Sequence, residues 1–197
     1  MIVKKKSEQG FTLLESLVVI GIMMVLAAMA IAGSLGSMQN YRANAALDTV
    51  TSQLRVARSI AITERRSVQI TIDQVNNAIS YQVKAPQVVG TTELDGPVIT
   101  VPLPPRTAYM LETGVPDTPM GFGNLASVYI ENLSGGPAIM QFTSTGTFAD
   151  GTTSLPINGT IFIGITNQPT TARAVSILGS TGRVRQYTYI GNNKWIE

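Results

Sequence analysis

The chain contains no cysteine and no histidine among its 197 residues. Disulfide bonds, thiol catalysis and the usual zinc sites are therefore excluded, because each of them needs one of these two side chains. Charged residues make up only 13 % of the chain, well below the roughly 25 % of an ordinary soluble domain. The shortage is local, since Glu15 is the only charged residue between Phe11 and Tyr41.

The net charge of the chain is small, and its charged residues are unevenly distributed along the sequence. The formal +2 comes entirely from residues 1–10, where three lysines outnumber one glutamate, and the rest carries eleven basic and eleven acidic side chains. A strongly basic nucleic-acid-binding protein is therefore not predicted. Residues 42–66 hold five arginines and two acids, residues 67–150 hold seven acids and two basic side chains, and residues 151–196 hold four basic side chains and no acid.

A long apolar segment follows the lysines. Residues 17–32, LVVIGIMMVLAAMAIA, contain no polar side chain. Extended from Phe11 to Leu35, the segment is long enough for a helix to cross a bilayer, which takes about 20 residues. Because lysines precede it and no basic residue follows before Arg42, the amino end is expected to be cytoplasmic.

Hydropathy leaves two other interpretations of this segment open. It is compatible with a secretory signal peptide, whose small-residue cleavage site would follow the apolar core, and residues 27–36 contain suitable small residues. It is also compatible with a plain membrane anchor. The residues just before the apolar core favour a third interpretation over both of these.

The junction KKKSEQGFTLLESLVVIGIM resembles the signature of type IV prepilins: a short basic leader, then Gly10, Phe11 and the sequence Thr-Leu-Leu-Glu ending at Glu15. The resemblance implies cleavage between Gly10 and Phe11 on the cytoplasmic face, N-methylation of Phe11 and retention of the apolar helix.

Glu15 is a carboxylate placed about 6 Å along a helix from Phe11, at 1.5 Å per residue. An ionisable residue in such a segment is a functional candidate, because a charge at the membrane centre costs about 2.5–3.5 kcal/mol. The resemblance implies that Glu15 meets the terminal amine of a neighbouring subunit during assembly. The alternative is a glutamate solvated at the membrane interface.

The helical pattern continues beyond the apolar segment. Apolar residues recur at three- and four-residue steps, which predicts one buried helix face: Leu47, Val50, Leu54, Ala57 and Ala61. Charged residues occupy the other side, and neither glycine nor proline interrupts residues 38–66. We therefore predict one helix from about Phe11 to Thr63.

From Ser67 onward the pattern alternates with the period of a strand. SVQITI and AISYQVK flank the turn DQVNN and predict a β-hairpin. Residues 85–125 are rich in proline and glycine and are expected to form loops with one short strand. The remaining predicted strands are Val98–Val101, Ser127–Glu131, Ala138–Thr143, Thr160–Ile165, Ala172–Leu178 and Arg183–Ile190. One helix followed by strands predicts an α+β domain with the helix on an antiparallel sheet.

Three head segments, ARSIAITERRSVQITI, MQFTSTGTF and STGRVRQYTY, resemble the GspH/FimT family of minor pilins and type II secretion pseudopilins. The resemblance implies a pilin-like fold with a leader at 1–10, a membrane-spanning and assembly half of the helix at 11–37, an amphipathic half at 38–66 and a β-rich head at 67–197. The implied function is that of a structural subunit that adds to or initiates a type IV pilus or type II secretion filament.

The carboxyl-terminal GRVR segment suggests an alternative function. Residues two apart on a strand share a face, so Arg183 and Arg185 are expected to point the same way as Tyr187 and Tyr189. With Lys194 and Arg173 nearby, this face could grip phosphates and stack bases, as in a minor pilin that binds DNA during natural transformation. The competing interpretation is an ordinary hairpin with solvated arginines.

The sequence gives no support for an enzyme and none for a cofactor. The acids Asp73, Glu93, Asp95, Glu112 and Asp117 are scattered over turns and loops, and a calcium site among them is the weakest hypothesis. The expected partners are other pilin or pseudopilin subunits, the prepilin peptidase, the inner-membrane assembly platform, inner-membrane lipid and, in the alternative, DNA. The expected location is the bacterial inner membrane, with a periplasmic head, and then a filament.

Overall fold

The computed structural model describes residues 12–86, 94–121, 123–131 and 139–197, and for residues 30–36 it describes the backbone only. The chain divides into two compact units, one ending at Met38 and the other comprising Gln39–Glu197. We call the second unit the head. The four segments predicted from the sequence, at 1–10, 11–37, 38–66 and 67–197, stay a prediction.

Helix α1 extends from Leu13 to Glu64, close to the predicted Phe11–Thr63. In its first part, between Leu13 and Met29, the large apolar side chains are 41–84 % exposed. Within the described residues, no helix is long and apolar enough to cross a membrane. The membrane-spanning half of the helix therefore stays a prediction.

The part of α1 that belongs to the head buries one face. All five residues of the predicted stripe are buried, together with Ala43, Ala46 and Thr51. Four of the buried positions are alanines, whose short side chains let the helix backbone approach its neighbours closely. Since the polar residues lie on the other side, the periodicity prediction is confirmed.

Two antiparallel sheets complete the head. The first has the strand order β3-β2-β1-β6-β7, with strands β1 Val68–Asp73, β2 Ala78–Val83, β3 Ile99–Pro102, β6 Met140–Phe142 and β7 Phe148–Asp150. Strands β1 and β2 form the predicted hairpin, with Ile70 opposite Tyr81. Asp73 closes the turn, where its Oδ1 accepts hydrogen bonds from the amides of Val75 and Asn76 at 2.9 Å each.

The second sheet has the order β11-β10-β9-β8-β4, and β5 also pairs with β8. Its strands are β4 Ala108–Tyr109, β5 Val128–Ile130, β8 Gly159–Gly164, β9 Arg173–Leu178, β10 Arg183–Tyr189 and β11 Trp195–Ile196. A short 3₁₀ helix, Pro169–Thr171, precedes β9.

One hydrophobic core joins the helix to both sheets. Leu54 of α1 shares it with Ile70 of the first sheet and Ile177 of the second. The rings of Phe142 and Phe148 pack against each other with centroids 5.3 Å apart. The α+β fold with a helix packed on antiparallel strands is therefore confirmed, and the strands form two sheets around one helix.

Three strands were not predicted: β4, β7 and β11. Strands β4 and β11 have only two residues each, too few to show an alternation of apolar and polar residues. Strand β7 is buried at all three of its residues, including the acid Asp150. Its sequence Phe-Ala-Asp therefore also lacks the alternation by which a strand is recognised.

Candidate functional site

The predicted processing site, Gly10 and Phe11, lies outside the described residues. The described chain begins at Thr12, whose hydroxyl accepts a hydrogen bond from the Glu15 amide at 3.3 Å. Thr12 thus caps the start of α1, and Glu15 stands at the third helical position. A threonine cap with a glutamate three residues later is the arrangement of a capping box.

Glu15 itself is exposed and forms no ion pair within the described part of the chain. An acid in the first turn stabilises a helix through the positive end of its dipole, by about 0.3–1 kcal/mol. This local role is a second reason for a glutamate here, and it does not depend on a partner subunit. Any test of Glu15 must therefore separate helix capping from contacts with another subunit.

The three head segments that carry the family resemblance meet at Arg58. This side chain leaves α1, and its Nε donates to the Gly146 carbonyl oxygen at 3.1 Å. Its second guanidinium nitrogen donates to the Thr181 carbonyl oxygen at 2.9 Å. Because Gly146 lies in the turn between β6 and β7 and Thr181 in the turn between β9 and β10, one arginine ties the helix to both sheets.

Glycines make this approach possible. Gly182 has φ +61°, and an added Cβ atom would come within 2.0 Å of the Gly146 carbonyl oxygen. Gly146 has φ +80°, and an added Cβ atom would lie 2.7 Å from Ile62 Cδ1. Both backbone conformations favour glycine. The glycine of the GRVR segment therefore has a structural role, since it lets the two turns touch around Arg58.

The two arginines of the GRVR segment differ in their surroundings. Arg183 is exposed and its side chain has no hydrogen-bond partner in the described ranges. Arg185 donates to Glu197 Oε2 at 3.0 Å, and the Tyr187 hydroxyl and Glu197 raise the pKa of Arg185. Glu197 thus offsets part of the positive charge of this segment.

The tyrosines of the same strand are covered. Tyr187 is 7 % exposed and Tyr189 8 % exposed. Trp195 packs against both clusters that contain them, with its ring centroid 5.4 Å from that of Tyr189. The Trp195 Nε1 donates to the Pro116 carbonyl oxygen at 2.9 Å, which joins the carboxyl-terminal strand to the 110–121 loop. Tyr187 and Tyr189, which were expected to stack on bases, are therefore covered in this structure.

The other two basic side chains near the predicted patch, Lys194 and Arg173, differ in their exposure. Lys194 is exposed. Arg173 is only 3 % exposed, and burial lowers its pKa. Its Nε donates to Asn44 Oδ1 at 2.7 Å, and its other nitrogens bond to Asn40 and to backbone carbonyls. Arg173 thus fastens β9 to the part of α1 where the head begins and adds nothing to an accessible basic face.

The acids predicted as scattered do not form a metal site in the part of the chain that the structure describes, which contains no group of three or more candidate ligands. Asp95 pairs with Lys84, which holds the pKa of Asp95 below its usual value. Glu112 is buried, and among the described residues its Oε1 has no hydrogen-bond partner. Glu93 lies outside the described residues.

Comparisons with known proteins agree with the amino-terminal pattern. Residues 5–31 match the family model described as the prokaryotic N-terminal methylation motif. No curated protein sequence matches the chain. The prepilin resemblance at the amino end is therefore confirmed over those residues, and it agrees with a structural subunit rather than an enzyme.

Among solved structures, the chain is similar to the minor pseudopilin EpsH from the type 2 secretion system of Vibrio cholerae, at 11 % identity and a TM-score of 0.44, covering 75 % of this chain and 97 % of that one. It is also similar to the type IV minor pilin FimU of Pseudomonas aeruginosa in two crystal forms. Identities are 17 % and 16 %, with a TM-score of 0.45 for each; 78 % and 83 % of this chain and 97 % and 96 % of FimU are covered.

Residues 5–31 therefore carry a prokaryotic N-terminal methylation motif, and the head beyond it packs one helix on antiparallel sheets. The three head segments that carry the resemblance meet at the structural joint around Arg58, whereas Glu15 belongs to the amino-terminal unit.

Proposed function

We propose that the chain is a minor pilin or pseudopilin of the GspH/FimT type, which adds to or initiates a type IV pilus or type II secretion filament. The observation that carries the proposal is the methylation motif at residues 5–31, followed by a helix whose large apolar side chains from Leu13 to Met29 are exposed. Such a surface is stable only when lipid or other apolar helices cover it.

In this proposal, the prepilin peptidase cleaves between Gly10 and Phe11 and the new terminal amine of Phe11 is methylated. Residues 11–37 then hold the subunit in the inner membrane with the head in the periplasm, until the assembly platform moves it into the filament. A carboxylate buried among apolar helices needs a cationic partner. The terminal amine of a neighbouring subunit would provide that partner for Glu15.

Substitution of Glu15 tests the proposal. Gln can also occupy the third position of a capping box, so Glu15→Gln removes the charge and keeps the local cap. We expect Glu15→Gln to leave cleavage and membrane insertion intact and to reduce incorporation into filaments by about tenfold or more, since truncating one partner of a buried charge pair costs 2–5 kcal/mol.

The measurement is the amount of the full chain that co-purifies with filaments isolated from producing cells, compared with the amount in membranes. Ser16→Ala is the matched control, because it changes the neighbouring exposed side chain and keeps the carboxylate. Normal incorporation of Glu15→Gln would contradict the assigned role of Glu15. A mature chain that begins after residue 30 would overturn the whole proposal.

A further inference from the structure

The first sheet of the head carries a polar cavity of about 690 Å³, a volume typical of sites for small ligands. Gln69 of β1 and Gln141 of β6 line it, and they lie directly opposite each other in the sheet. Val68 and Ile70, on either side of Gln69, are buried in the core. Because successive side chains of a strand point to opposite faces, the two glutamines belong to the face that is turned away from the core.

Gln141 indicates that the cavity holds a binding partner. The residue is only 9 % exposed, and its side-chain amide forms no hydrogen bond with the residues that the structure describes. The side-chain amide of Gln69 beside it has no such bond there either. Buried amides in folded proteins are almost always paired. The partner of Gln141 therefore has to come from the contents of the cavity.

Basic side chains border the cavity near the end of α1. Arg65, Arg66 and Lys84 are among its lining residues, and Asp95 is the one acid among those that the structure describes. Asp95 is paired with Lys84, so the two arginines leave a surplus of positive charge. None of the described lining residues is aromatic. The site therefore favours an anion, and it lacks the rings on which nucleic-acid bases stack.

Two lining residues have strained backbone conformations. Arg65 has φ +54° and Ser154 has φ +57°, in the left-handed region that glycine adopts readily. Arg65 directly follows α1, and the Arg66 amide donates to the Ala61 carbonyl oxygen at 3.2 Å. This is the helix ending in which glycine is usual at the position of Arg65. A side chain that is kept where glycine would relieve strain points to a function of that side chain.

Backbone contacts hold the walls of the cavity in place. On one side, Asp95 Oδ1 accepts a hydrogen bond from the Ala85 amide at 2.8 Å. On another, the Gly151 amide donates to the Ile139 carbonyl oxygen at 2.7 Å, and an added Cβ atom at Gly151 would lie 2.2 Å from Ile139 Cγ2. A site that is already ordered loses less entropy when a ligand binds.

We propose that the polar cavity binds a carbohydrate that bears carboxylates, such as a chain of uronic acids. Arg65 donates to a carboxylate, and sugar hydroxyls pair with the amides of Gln69 and Gln141. Each amide offers both donors and an acceptor, and a sugar hydroxyl does so too, whereas a phosphate or sulfate ion would leave both amide oxygens unpaired. Recognition of such a ligand goes beyond the structural function proposed above and does not depend on it.

Calorimetric titration of the detergent-solubilised full chain tests the proposal. The probes are trisaccharides of galacturonic, glucuronic and mannuronic acid, each compared with the neutral trisaccharide of the parent sugar. We expect at least one acidic trisaccharide to bind about tenfold or more tightly than its neutral counterpart, because hydrogen bonds to charged groups are the stronger ones. Failure of all three acidic trisaccharides to bind would overturn the proposal.

Two arginine variants separate the cavity from a general attraction to positive charge. Arg65→Gly removes the guanidinium group and relieves the positive φ. Binding should weaken about tenfold or more, while the melting temperature of the head stays the same or rises. Arg106→Gly is the matched control, because Arg106 is also exposed, has φ +69° and is not a lining residue of the cavity. Equal losses of binding in the two variants would overturn the proposal.

Gln141→Leu tests the second half of the site. Replacement of an unpaired buried amide by an apolar side chain of similar shape leaves folding nearly unchanged, so the melting temperature should hold while binding weakens about tenfold. Unchanged binding would contradict the role of Gln141. Binding of an acidic peptide or of duplex DNA at least as tightly as the sugar would assign the cavity to that ligand instead. Because these titrations need no filaments, their failure leaves the proposed function untouched.

Discussion

The two parts of helix α1 differ in the burial of their apolar side chains. Between Leu13 and Met29 the large apolar side chains are at least 41 % exposed, whereas Val50 and Leu54 in the head are completely buried. From Leu17 onward the first part is apolar all round, and the second has one apolar stripe opposite charged residues. The hydrophobicity of a side chain therefore does not by itself indicate what that side chain packs against.

The comparison shows where the stability of the protein resides. The apolar stripe of the head is satisfied by its own two sheets, so its substitution should be felt in the folding of the head. The large apolar side chains of the first part are exposed. Their substitution should be felt in a process outside folding, such as assembly.

The largest expected effect comes from shortening one leucine in each part. Leu54→Ala removes a fully buried side chain and should lower the free energy of unfolding by about 2–5 kcal/mol. Leu17→Ala, at a residue that is 65 % exposed, should change it by less than about 0.5 kcal/mol. Urea denaturation of the detergent-solubilised full chain, followed by fluorescence of its single tryptophan, Trp195, measures both. Equal losses of unfolding free energy in the two variants would contradict the difference between the two parts of α1.

A smaller contrast is expected between two glycines. Gly182→Ala forces a side chain against the Gly146 carbonyl oxygen at positive φ and should lower the stability of the head by about 2–4 kcal/mol. An added Cβ atom at Gly21 would meet nothing within 4 Å, and alanine there should favour the helix by about 0.5–1 kcal/mol. In the same assay, Gly21→Ala should leave the unfolding of the head unchanged. A tolerated Gly182→Ala would contradict the joint around Arg58.

The smallest contrast concerns two acids and depends on pH. Asp150 is 2 % exposed, and the Thr152 amide and the Thr153 hydroxyl hold its pKa below the usual value, against the opposing effect of burial. A depressed folded-state pKa stabilises the protein above the unfolded-state pKa of about 3.9. This contribution is lost as the pH falls through the folded-state pKa.

Asp150→Asn should therefore lower the melting temperature of the head at neutral pH, and the difference from the unaltered protein should shrink below about pH 4. Glu15→Gln, outside the head, should not change the melting profile at any pH. Melting curves between neutral pH and pH 3 give the comparison. A difference that stays constant down to the lowest pH would show that the carboxylate charge of Asp150 is not what stabilises its turn.

Periodic patterns were the part of the fold that the sequence predicted well. The apolar stripe of α1 and the alternation in the β1–β2 hairpin repeat over several residues, so each position supports the same assignment. The ends of the helix and of the longer strands lie within two residues of those predicted. The strands that were missed are two or three residues long and exist because neighbouring strands supply their hydrogen bonds.

The candidate sites were harder to predict, because side-chain exposure depends on distant residues. Tyr187 and the arginines of the GRVR segment do follow one another on a strand, as predicted. Trp195 and the 110–121 loop nevertheless cover the tyrosine, and Glu197 pairs with Arg185. Their role in DNA binding stays a prediction. The role of Arg58 has no local signal, since its partners are 88 and 123 residues away.

The sequence by itself determined the amino-terminal motif, the long helix, its buried stripe and the α+β class, because these depend on neighbouring residues and on short repeats. Only the tertiary structure decided that the strands form two sheets, that Arg173 is buried, and that Arg65, Gln141 and Ser154 line one cavity. Those features depend on contacts between residues far apart in the chain, and no periodicity within a segment records such contacts.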